Sequence, residues 1–358
     1  MARFGIEEEF VLLDEDTLVP LVVVDGIHQR LQGPTGGGRV MAEFLTSQFE
    51  CVTDPLATTS EARAQLSTLR GLMSAQAAPE RAIIAATGTP FATTRRVSIS
   101  PSPHYDVVAA QLAHITRGHE VNGLHVHVEI TDDDERVRAL NRVRGWLPVL
   151  SALTGNSPFI EGLPSGYASW RSILIRRLPT SWCPPLVTDI ADYHAHVDRL
   201  IALGAIAEAS SLGWAARLSD RYPTVEVRVS DTQLDVDDTL FAAALTRAIV
   251  LSDDERVAPG TIDGIDASLW MAARYGMDAR LVDPTSDGVA DAWAIAERML
   301  DAAGPVLQEH GDAEFVAEHL ARIRADGTGA QRQERAYAEG GLAGLRALYR
   351  DGTAAHEG

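Results

Sequence analysis

Three carboxylates stand side by side near the start of the chain, in the stretch GIEEEF (Gly5–Phe10). Alternate side chains of a β-strand share one face, so Glu7 and Glu9 would point the same way, about 7 Å apart, and Glu8 the opposite way. Two carboxylates on one face are suited to holding a divalent cation. An edge strand that uses charge to avoid aggregation would show the same pattern, so this strand alone leaves both interpretations open.

Two histidines and a glutamate alternate with apolar residues in NGLHVHVEI (Asn122–Ile130). A strand here would place His125, His127 and Glu129 on one face and the valines on the other. Histidines two residues apart on a strand are a common metal-ligand arrangement. The alternative is a half-solvated strand whose histidines bind nothing.

A third strand, TVEVRVSD (Thr224–Asp231), pairs a carboxylate with a guanidinium. Its valines share one face, and Glu226 and Arg228 share the other. This pattern is typical of a surface ion pair of little energetic value, but it could also hold a metal and a phosphate side by side. A fourth candidate strand, SQFECVTD (Ser47–Asp54), carries Glu50.

Pairing of these strands would gather their polar side chains into one pocket. That pocket would be lined by Glu7, Glu9, Glu50, His125, Glu226 and Arg228. So many carboxylates cannot all be ionised close together without compensating charge, which divalent cations would supply. Oxygen-rich ligation favours Mg²⁺ or Mn²⁺ over Zn²⁺. Since the chain contains no lysine, and hence no P-loop, several metals beside an arginine indicate phosphoryl chemistry on an open sheet.

The composition narrows the class of protein further. The 358 residues are enough for one large domain or two ordinary ones, and the formal net charge is −19. Such an acidic surface argues against nucleic acid or an anionic membrane as a partner but allows small anionic substrates. Two cysteines, no visible signal peptide and no apolar run of roughly 18 residues predict a soluble cytoplasmic protein. If the chain oligomerises, a homodimer is the expected assembly.

Apolar periodicity predicts one α+β domain over residues 1–358, with a largely antiparallel sheet and a mostly helical part from about residue 239. The first predicted helix covers Thr59–Ala78, with Ser60 as its N-cap. A buried strand is predicted around Ile83–Phe91, ending in a Gly/Pro turn. Further helices are predicted over Asp134–Leu153, Asp192–Ala207, Thr239–Leu251, Gly288–Ala303, Asp312–Ala325 and Gln331–Tyr349.

In order and spacing, GIEEE, LHVHV and TVEVRVSDT resemble motifs of the glutamate–cysteine ligase type 2 family (YbdK-like carboxylate–amine ligases). The segments FECVTD, SPF…SGYASWRSILI and RYGMDARLVDPTSDG are also similar to segments of that family. The resemblance extends from about Phe4 to the final helix. It implies a glutamine synthetase-like fold, in which a curved antiparallel sheet forms a funnel and the helices pack outside it.

The resemblance also implies ATP- and Mg²⁺- (or Mn²⁺-) dependent joining of a carboxylate to an amine, with glutamate and cysteine as the small-molecule substrates. By motif, the metal ligands would be Glu7, Glu9, Glu50, His125 and Glu226. Arg228 would contact the ATP phosphates or an acyl phosphate, and Arg171 would contact a substrate carboxylate or a phosphate. A carboxylate such as Glu50 or Glu9 would take the proton from the attacking amine.

Two positions depart from the family pattern. Glu129 stands where the family has glycine, which puts either a further carboxylate near the site or a salt bridge beside it. The turn GTPF (Gly88–Phe91) lacks the family's histidine, and if that histidine helps to bind substrate, the choice of donor or acceptor could differ. His127 matches the family, and both metal ligation and support of a neighbouring ligand remain open for it. Three other functions stay open: a ligase for another carboxylate–amine pair, a zinc-dependent hydrolase that uses His125 and His127, and a metal- or nucleotide-binding protein without turnover.

Overall fold

A computed structural model describes residues 2–21, 35–94, 98–254, 257–258, 260–286 and 288–353. The strands within these ranges are β1 (Phe4–Asp14), β2 (Arg39–Ala42), β3 (Gln48–Val52), β4 (Ala82–Ala85), β5 (Gly123–Glu129), β6 (Phe159–Ile160), β7 (Leu163–Pro164), β8 (Ala216–Leu218), β9 (Thr224–Asp231), β10 (Arg280–Val282) and β11 (Val289–Asp291).

The α-helices are distributed along the whole chain but dominate its last third. In the described ranges they are α1 (Thr59–Ala77), α2 (Pro103–Leu112), α3 (Asp133–Leu153), α4 (Trp170–Ile175), α5 (Ile190–Ala202), α6 (Val236–Leu251), α7 (Ile262–Tyr275), α8 (Ala292–His310), α9 (Ala313–Asp326) and α10 (Gly329–Thr353). Gly341, at φ +58°, interrupts α10. Among the residues described, no helix has the length and apolarity needed to cross a membrane.

Strand β1 is the centre of a sheet that, over the described residues, has seven antiparallel strands. β3 pairs with one edge of β1, and β5 and β4 pair with the first and second halves of its other edge. The order across the sheet is β2, β3, β1, β5, β9 and β8. Because β1 has partners on both edges, the edge-strand interpretation of its three glutamates is wrong.

The two faces of β1 are covered differently. Ile6 and Phe10 lie in the apolar layer between the sheet and helices α1, α3 and α6. Glu8 points into the same layer, where it is fully buried and forms an ion pair with Arg70 of α1. On the opposite face, α10 covers the second half of the strand and leaves the first half open. On this face of β1, the accessible polar side chains are therefore confined to the first half of the strand, which carries Glu7 and Glu9.

Three local predictions need correction. The N-cap of α1 is Thr58 rather than Ser60, because Thr58 and Glu61 form a reciprocal capping box. The predicted strand Ile83–Phe91 is only Ala82–Ala85, since the following turn bonds instead to Asn156: the Gly88 N–H donates to its carbonyl at 3.0 Å. Helix α8 begins at Ala292 and not at residue 288, because residues 289–291 pair with β10 as a hairpin.

The α+β prediction with a largely antiparallel sheet and helices packed against it is confirmed. The strand predicted at Thr224–Asp231 has those bounds, and the strands predicted around Glu7, Glu50 and His125 are present. Helices α2, α4 and α7 were not predicted.

Candidate active site

The polar faces of β1, β3, β5 and β9 meet on the open side of the sheet, and the strand register decides which side chains are neighbours. Glu9 is the direct partner of Glu50 across β1 and β3. Across β5, Glu7 faces His125 and His127 faces Glu226 in the same way. All six side chains that the sequence placed in one pocket, including Arg228, thus lie on one continuous surface.

His125 and Glu7 form the middle of this surface. Nδ1 of His125 lies 3.1 Å from Oε2 of Glu7 and 3.2 Å from Nη1 of Arg228. His127 approaches the other oxygen of Glu7, with Nε2 at 3.2 Å from Oε1. Although burial alone would raise it, these two histidines hold the pKa of Glu7 well below its usual range. Glu7 is therefore an anion at neutral pH, shared between two imidazoles.

Glu226 is held by two arginines. Arg228, two residues along β9, forms an ion pair with Oε1, and Arg217 donates from Nε to Oε2 at 2.8 Å. Arg217 is the partner of Glu226 across β8 and also donates to the carbonyls of Ser210 and Leu212. Burial opposes ionisation, but Arg228 and Arg217 keep the pKa of Glu226 low. The buried carboxylate orients Arg228 over the open face.

The opposite end of the surface has an excess of negative charge. Glu43 follows β2 at the hairpin turn, and the pairing of Met41 with Glu50 puts Glu43 on the same face as Glu50. Burial and the neighbouring charge of Glu9 raise the pKa of Glu43 to about 8. Burial and the charges of Glu43, Glu7 and Glu9 also raise the pKa of Glu50 well above its usual value. Added positive charge would stabilise the ionised form of this acidic cluster of Glu9, Glu43 and Glu50.

Three overlapping groups among the described residues could each hold a cation. In each group, one donor atom per residue lies within 4.8 Å of the others. The groups are Glu7, Glu50 and His125; Glu7, His127 and Glu226; and Glu9, Glu43 and Glu50. Mostly carboxylate donors and the raised pKa values of Glu43 and Glu50 fit Mg²⁺ or Mn²⁺, which prefer oxygen ligands.

Arg171 lies beside this cluster with donors to spare. It is 5% exposed, and neither its Nε nor its Nη1 has a hydrogen-bond partner among the described residues. Nη1 is 3.7 Å from the buried Asp231, which Ser157 and Ser169 hold through hydrogen bonds of 2.7 and 2.8 Å. Burial lowers the pKa of Arg171. An unsatisfied buried guanidinium is suited to binding a carboxylate or phosphate.

The absence of a side chain at Gly123 makes room for Arg171. A Cβ at Gly123 would lie 2.4 Å from Nη2 of Arg171. The Gly123 N–H also donates to Oε2 of Glu9 at 2.5 Å. Glycine at this position therefore lets the arginine and the acidic cluster lie next to each other.

Two cavities that share no lining residue open beside this polar surface. The first, of about 270 Å³, is lined by Glu9, Glu43, His125, Arg171 and Arg228 together with apolar residues of α2, α4 and α7. The second, of about 210 Å³, is lined by Glu7, His127, Arg3, Arg39 and Tyr222. Two different small molecules could thus reach one set of carboxylates and imidazoles from two sides.

The sequence did not identify Glu43, Arg217 or His119 as site residues. Glu43 lies in a turn outside any alternating pattern, although the hairpin between β2 and β3 would have placed it beside Glu50. Arg217 is on a strand of three residues. His119 lines the first cavity, and burial together with Arg177 and Arg171 lowers its pKa to about 4. No local spacing marks any of the three.

Two solved structures of ligases share this fold. A glutamate–cysteine ligase from Francisella tularensis, solved in complex with AMP, superposes with a TM-score of 0.72 at 14% identity, over 98% of this chain and 88% of that one. A bifunctional glutathione synthetase from Pasteurella multocida gives a TM-score of 0.72 at 15% identity, over 98% of this chain and 52% of that one. The fold predicted from the sequence motifs is therefore confirmed.

Sequence comparison assigns the chain to a family within this fold. The chain belongs to the glutamate–cysteine ligase family 2 (GCS2), whose family model matches residues 3–351. A relative from Saccharopolyspora erythraea named "Putative glutamate--cysteine ligase 2-1" is 35% identical over 342 residues, covering 93% of this chain and 89% of the relative. A relative from Salinispora arenicola named "Putative glutamate--cysteine ligase 2" is 37% identical over 339 residues, with coverages of 92% and 89%.

Proposed function

We propose that this protein is an ATP- and Mg²⁺-dependent carboxylate–amine ligase that forms its amide through an acyl phosphate, with glutamate as donor and cysteine as the first acceptor to test. The observation that carries the proposal is the cluster of carboxylates and imidazoles on the open face of the sheet, with Arg228 and Arg171 beside it. Family membership and the AMP-bound structural neighbour support the same class of enzyme.

The proposed metal ligands are the five residues predicted from the sequence and two more whose donor atoms lie close to theirs. They are Glu7, Glu9, Glu50, His125 and Glu226, with Glu43 and His127. Mg²⁺ held by these residues would supply positive charge that offsets the charge of the phosphates. The acidic cluster, whose neighbouring charges disfavour full ionisation without compensation, supplies the negative charge that holds the cations.

The two cavities would divide the substrates between them. In-line phosphoryl transfer requires donor and acceptor on opposite sides of the moving phosphorus. The cavity beside Tyr222 and Arg39 offers an aromatic ring and a cation for the nucleotide. The cavity beside Arg171 offers the Nε and Nη1 donors of its guanidinium, which have no hydrogen-bond partner among the described residues, for a substrate carboxylate. The arrangement would bring the γ-phosphate and the attacking carboxylate together over Glu7 and His125.

Arg228 would stabilise the charge that develops during transfer. Its guanidinium is fixed by Glu226 and lines the first cavity, so it needs no rearrangement when the phosphoryl group moves. The amine then attacks the acyl carbon. The C–N bond forms, the C–O bond to phosphate breaks, and inorganic phosphate leaves. Glu50 or Glu9 would accept the proton that the amine releases.

The test measures ADP release with ATP and Mg²⁺ in the presence of glutamate and cysteine together and each alone. Hydroxylamine in place of the amine traps an acyl phosphate as a hydroxamate, which identifies the carboxylate donor independently of the acceptor. ADP release that needs both amino acids, with a γ-glutamylcysteine mass, supports the full proposal. A different donor or acceptor keeps the reaction class and changes the substrates.

Two outcomes would move the assignment elsewhere. ATP-independent hydrolysis by purified protein that retains zinc would indicate the hydrolase that uses His125 and His127. Nucleotide or metal binding without ADP release from any carboxylate, including the hydroxylamine reactions, would indicate a binding protein.

A further inference from the structure

The cavity beside Arg171 has a polar end and an apolar wall. Glu9, Glu43, Arg171 and Arg228 form the polar end. The wall comes from three helices that lie apart in the chain, α2, α4 and α7. Neither Cys51 nor Cys183 is among the residues that line it.

Helix α2 presents one face to the cavity. Tyr105, Val108 and Leu112, spaced three and four residues apart, all line it. Oη of Tyr105 lies 3.4 Å from Oε2 of Glu43, which places the start of the helix at the polar end. Seven residues of helix span about 10 Å, so the apolar face runs outward from the carboxylates towards Leu112.

The opposite part of the wall continues directly from Arg171. Ile175 lies one helical turn beyond Arg171 on α4 and lines the same cavity. Leu269 and Ala273 of α7 line it as well, and the Ser169 N–H donates to the Ala273 carbonyl at 3.0 Å, which joins α7 to the start of α4. An acceptor whose amine is held at the acidic cluster would have this apolar surface next to its side chain.

We infer that the acceptor of this ligase is an amino acid with an apolar side chain larger than that of cysteine, such as leucine, valine or phenylalanine. This inference rests on the proposed function and names the substrate class of the same site. The acceptor amine lies at the acidic cluster, and its side chain packs between Val108 of α2 and Ile175 of α4. A larger apolar side chain gains from burial at this wall, whereas the short polar side chain of serine or cysteine leaves the wall unfilled.

The first experiment compares acceptors under one set of conditions. ADP release is measured with ATP, Mg²⁺ and the donor that the hydroxylamine assay identifies, with L-leucine, L-valine and L-phenylalanine against L-cysteine, L-alanine and L-serine. The expected result is a kcat/KM for the best apolar acceptor at least about tenfold above that for cysteine, the discrimination that one or two methylene groups in an apolar pocket can supply. The product mass identifies the amide in each case.

Matched variants then test the wall itself. Val108→Thr keeps side-chain volume and replaces a methyl group by a hydroxyl, whereas Ile175→Thr replaces an ethyl group by a hydroxyl and is therefore also shorter; each should raise KM for the apolar acceptor about tenfold. The same variants should leave KM for the donor unchanged, a split between the two substrates that general damage to the fold would not produce. Val107→Thr is the control on the same helix, because Val107 is 53% exposed and is absent from the cavity lining.

Failure of the inference and failure of the proposed function give different results. A preference for cysteine or serine over every apolar acceptor, or equal KM values in Val108→Thr and wild type, overturns the inference and leaves the ligase intact. Absence of ADP release with every donor, including in the presence of hydroxylamine, overturns the proposed function and the inference with it.

Discussion

Glu9 of β1 and Glu50 of β3 are direct partners across the antiparallel register of the sheet. Like charges in this position destabilise a sheet, and Glu43 adds a third carboxylate to the same group. These three carboxylates therefore destabilise the fold, by an amount that depends on how many of them are ionised and on whether cations are bound.

The stability of the metal-free protein should fall as pH rises. The pKa of Glu43 is about 8 in the folded chain against an ordinary 4.5, so its contribution to stability is complete below about 4.5 and is lost as pH rises through about 8. We expect the free energy of unfolding to decrease by a few kcal/mol at most over this interval, and millimolar Mg²⁺ to restore much of it. Thermal unfolding at pH 6 and pH 9, with and without Mg²⁺, measures both effects.

The double variant Glu43→Gln, Glu50→Gln is the control for this prediction. Because the chain carries a net charge of −19, general repulsion also destabilises it at high pH, and only the part that the double variant removes belongs to the acidic cluster. An unchanged pH dependence and Mg²⁺ response in the double variant would contradict the assignment.

Glu7 and Glu8 lie on opposite faces of β1, so substitution of Glu7 should affect turnover and substitution of Glu8 should affect stability. Glu7→Gln should lower Mg²⁺-dependent turnover more than about 100-fold. Mutation of a residue that only hydrogen-bonds to a metal ligand already lowers metal affinity or activity by about 10–100-fold. Glu8→Gln leaves Arg70 buried with a weakened partner, and should lower the free energy of unfolding by about 3–5 kcal/mol. Turnover against Mg²⁺ concentration and urea unfolding separate the two. Equal Mg²⁺ dependence in both variants would show that the faces are misassigned.

Substitution of the two arginines that bind Glu226 should also have different effects on kcat. Arg228→Lys replaces a planar fork that lines the cavity by a point charge, and kcat should fall by about 100- to 1,000-fold. Arg217 is bound to Glu226 and to the carbonyls of Ser210 and Leu212, so Arg217→Lys should lower Tm and change kcat less than about tenfold. Wild-type kcat in Arg228→Lys would exclude a role in transfer.

Two glycines on adjacent strands offer a test of Arg171. In Gly123→Ala the added methyl group would lie 2.4 Å from the Arg171 guanidinium, and the displaced arginine should raise KM for the carboxylate donor about tenfold or more. In Gly5→Ala the nearest atom is Cβ of His127 at 3.9 Å, an ordinary contact, and KM should stay within about twofold. Initial rates against donor concentration give both values. If the two variants behave alike, Arg171 does not bind the donor.

Cys51 should be dispensable for turnover. It is fully buried in β3 with its Sγ 3.6 Å from Sδ of Met73, and burial raises the pKa of its thiol well above the usual value. Cys51→Ala should retain kcat and lose about 1–2 kcal/mol of stability through lost packing. A folded Cys51→Ala protein without turnover would mean that the thiol reacts.

The sequence by itself determined which side chains share a face. Alternation with a period of two is a local property of a strand, so Glu7 and Glu9, His125 and His127, and Glu226 and Arg228 could be paired before any long-range contact was known. The number of carboxylates on these faces then predicted cations, since so many cannot ionise close together without compensating positive charge. Together with the ordered motifs, this was enough for the fold and for most of the candidate site.

Only the tertiary structure decided what surrounds those side chains. Cross-strand register is set by pairing between distant segments, so the contact of Glu226 with Arg217 and the addition of Glu43 to Glu50 leave no local signal. None of the residues of helix α2 is buried, so it packs into no core, and only the tertiary structure shows that its apolar face lines the cavity beside Arg171. Identical glutamates at positions 7 and 8 acquire different roles because one faces the open sheet surface and the other a packed layer with Arg70.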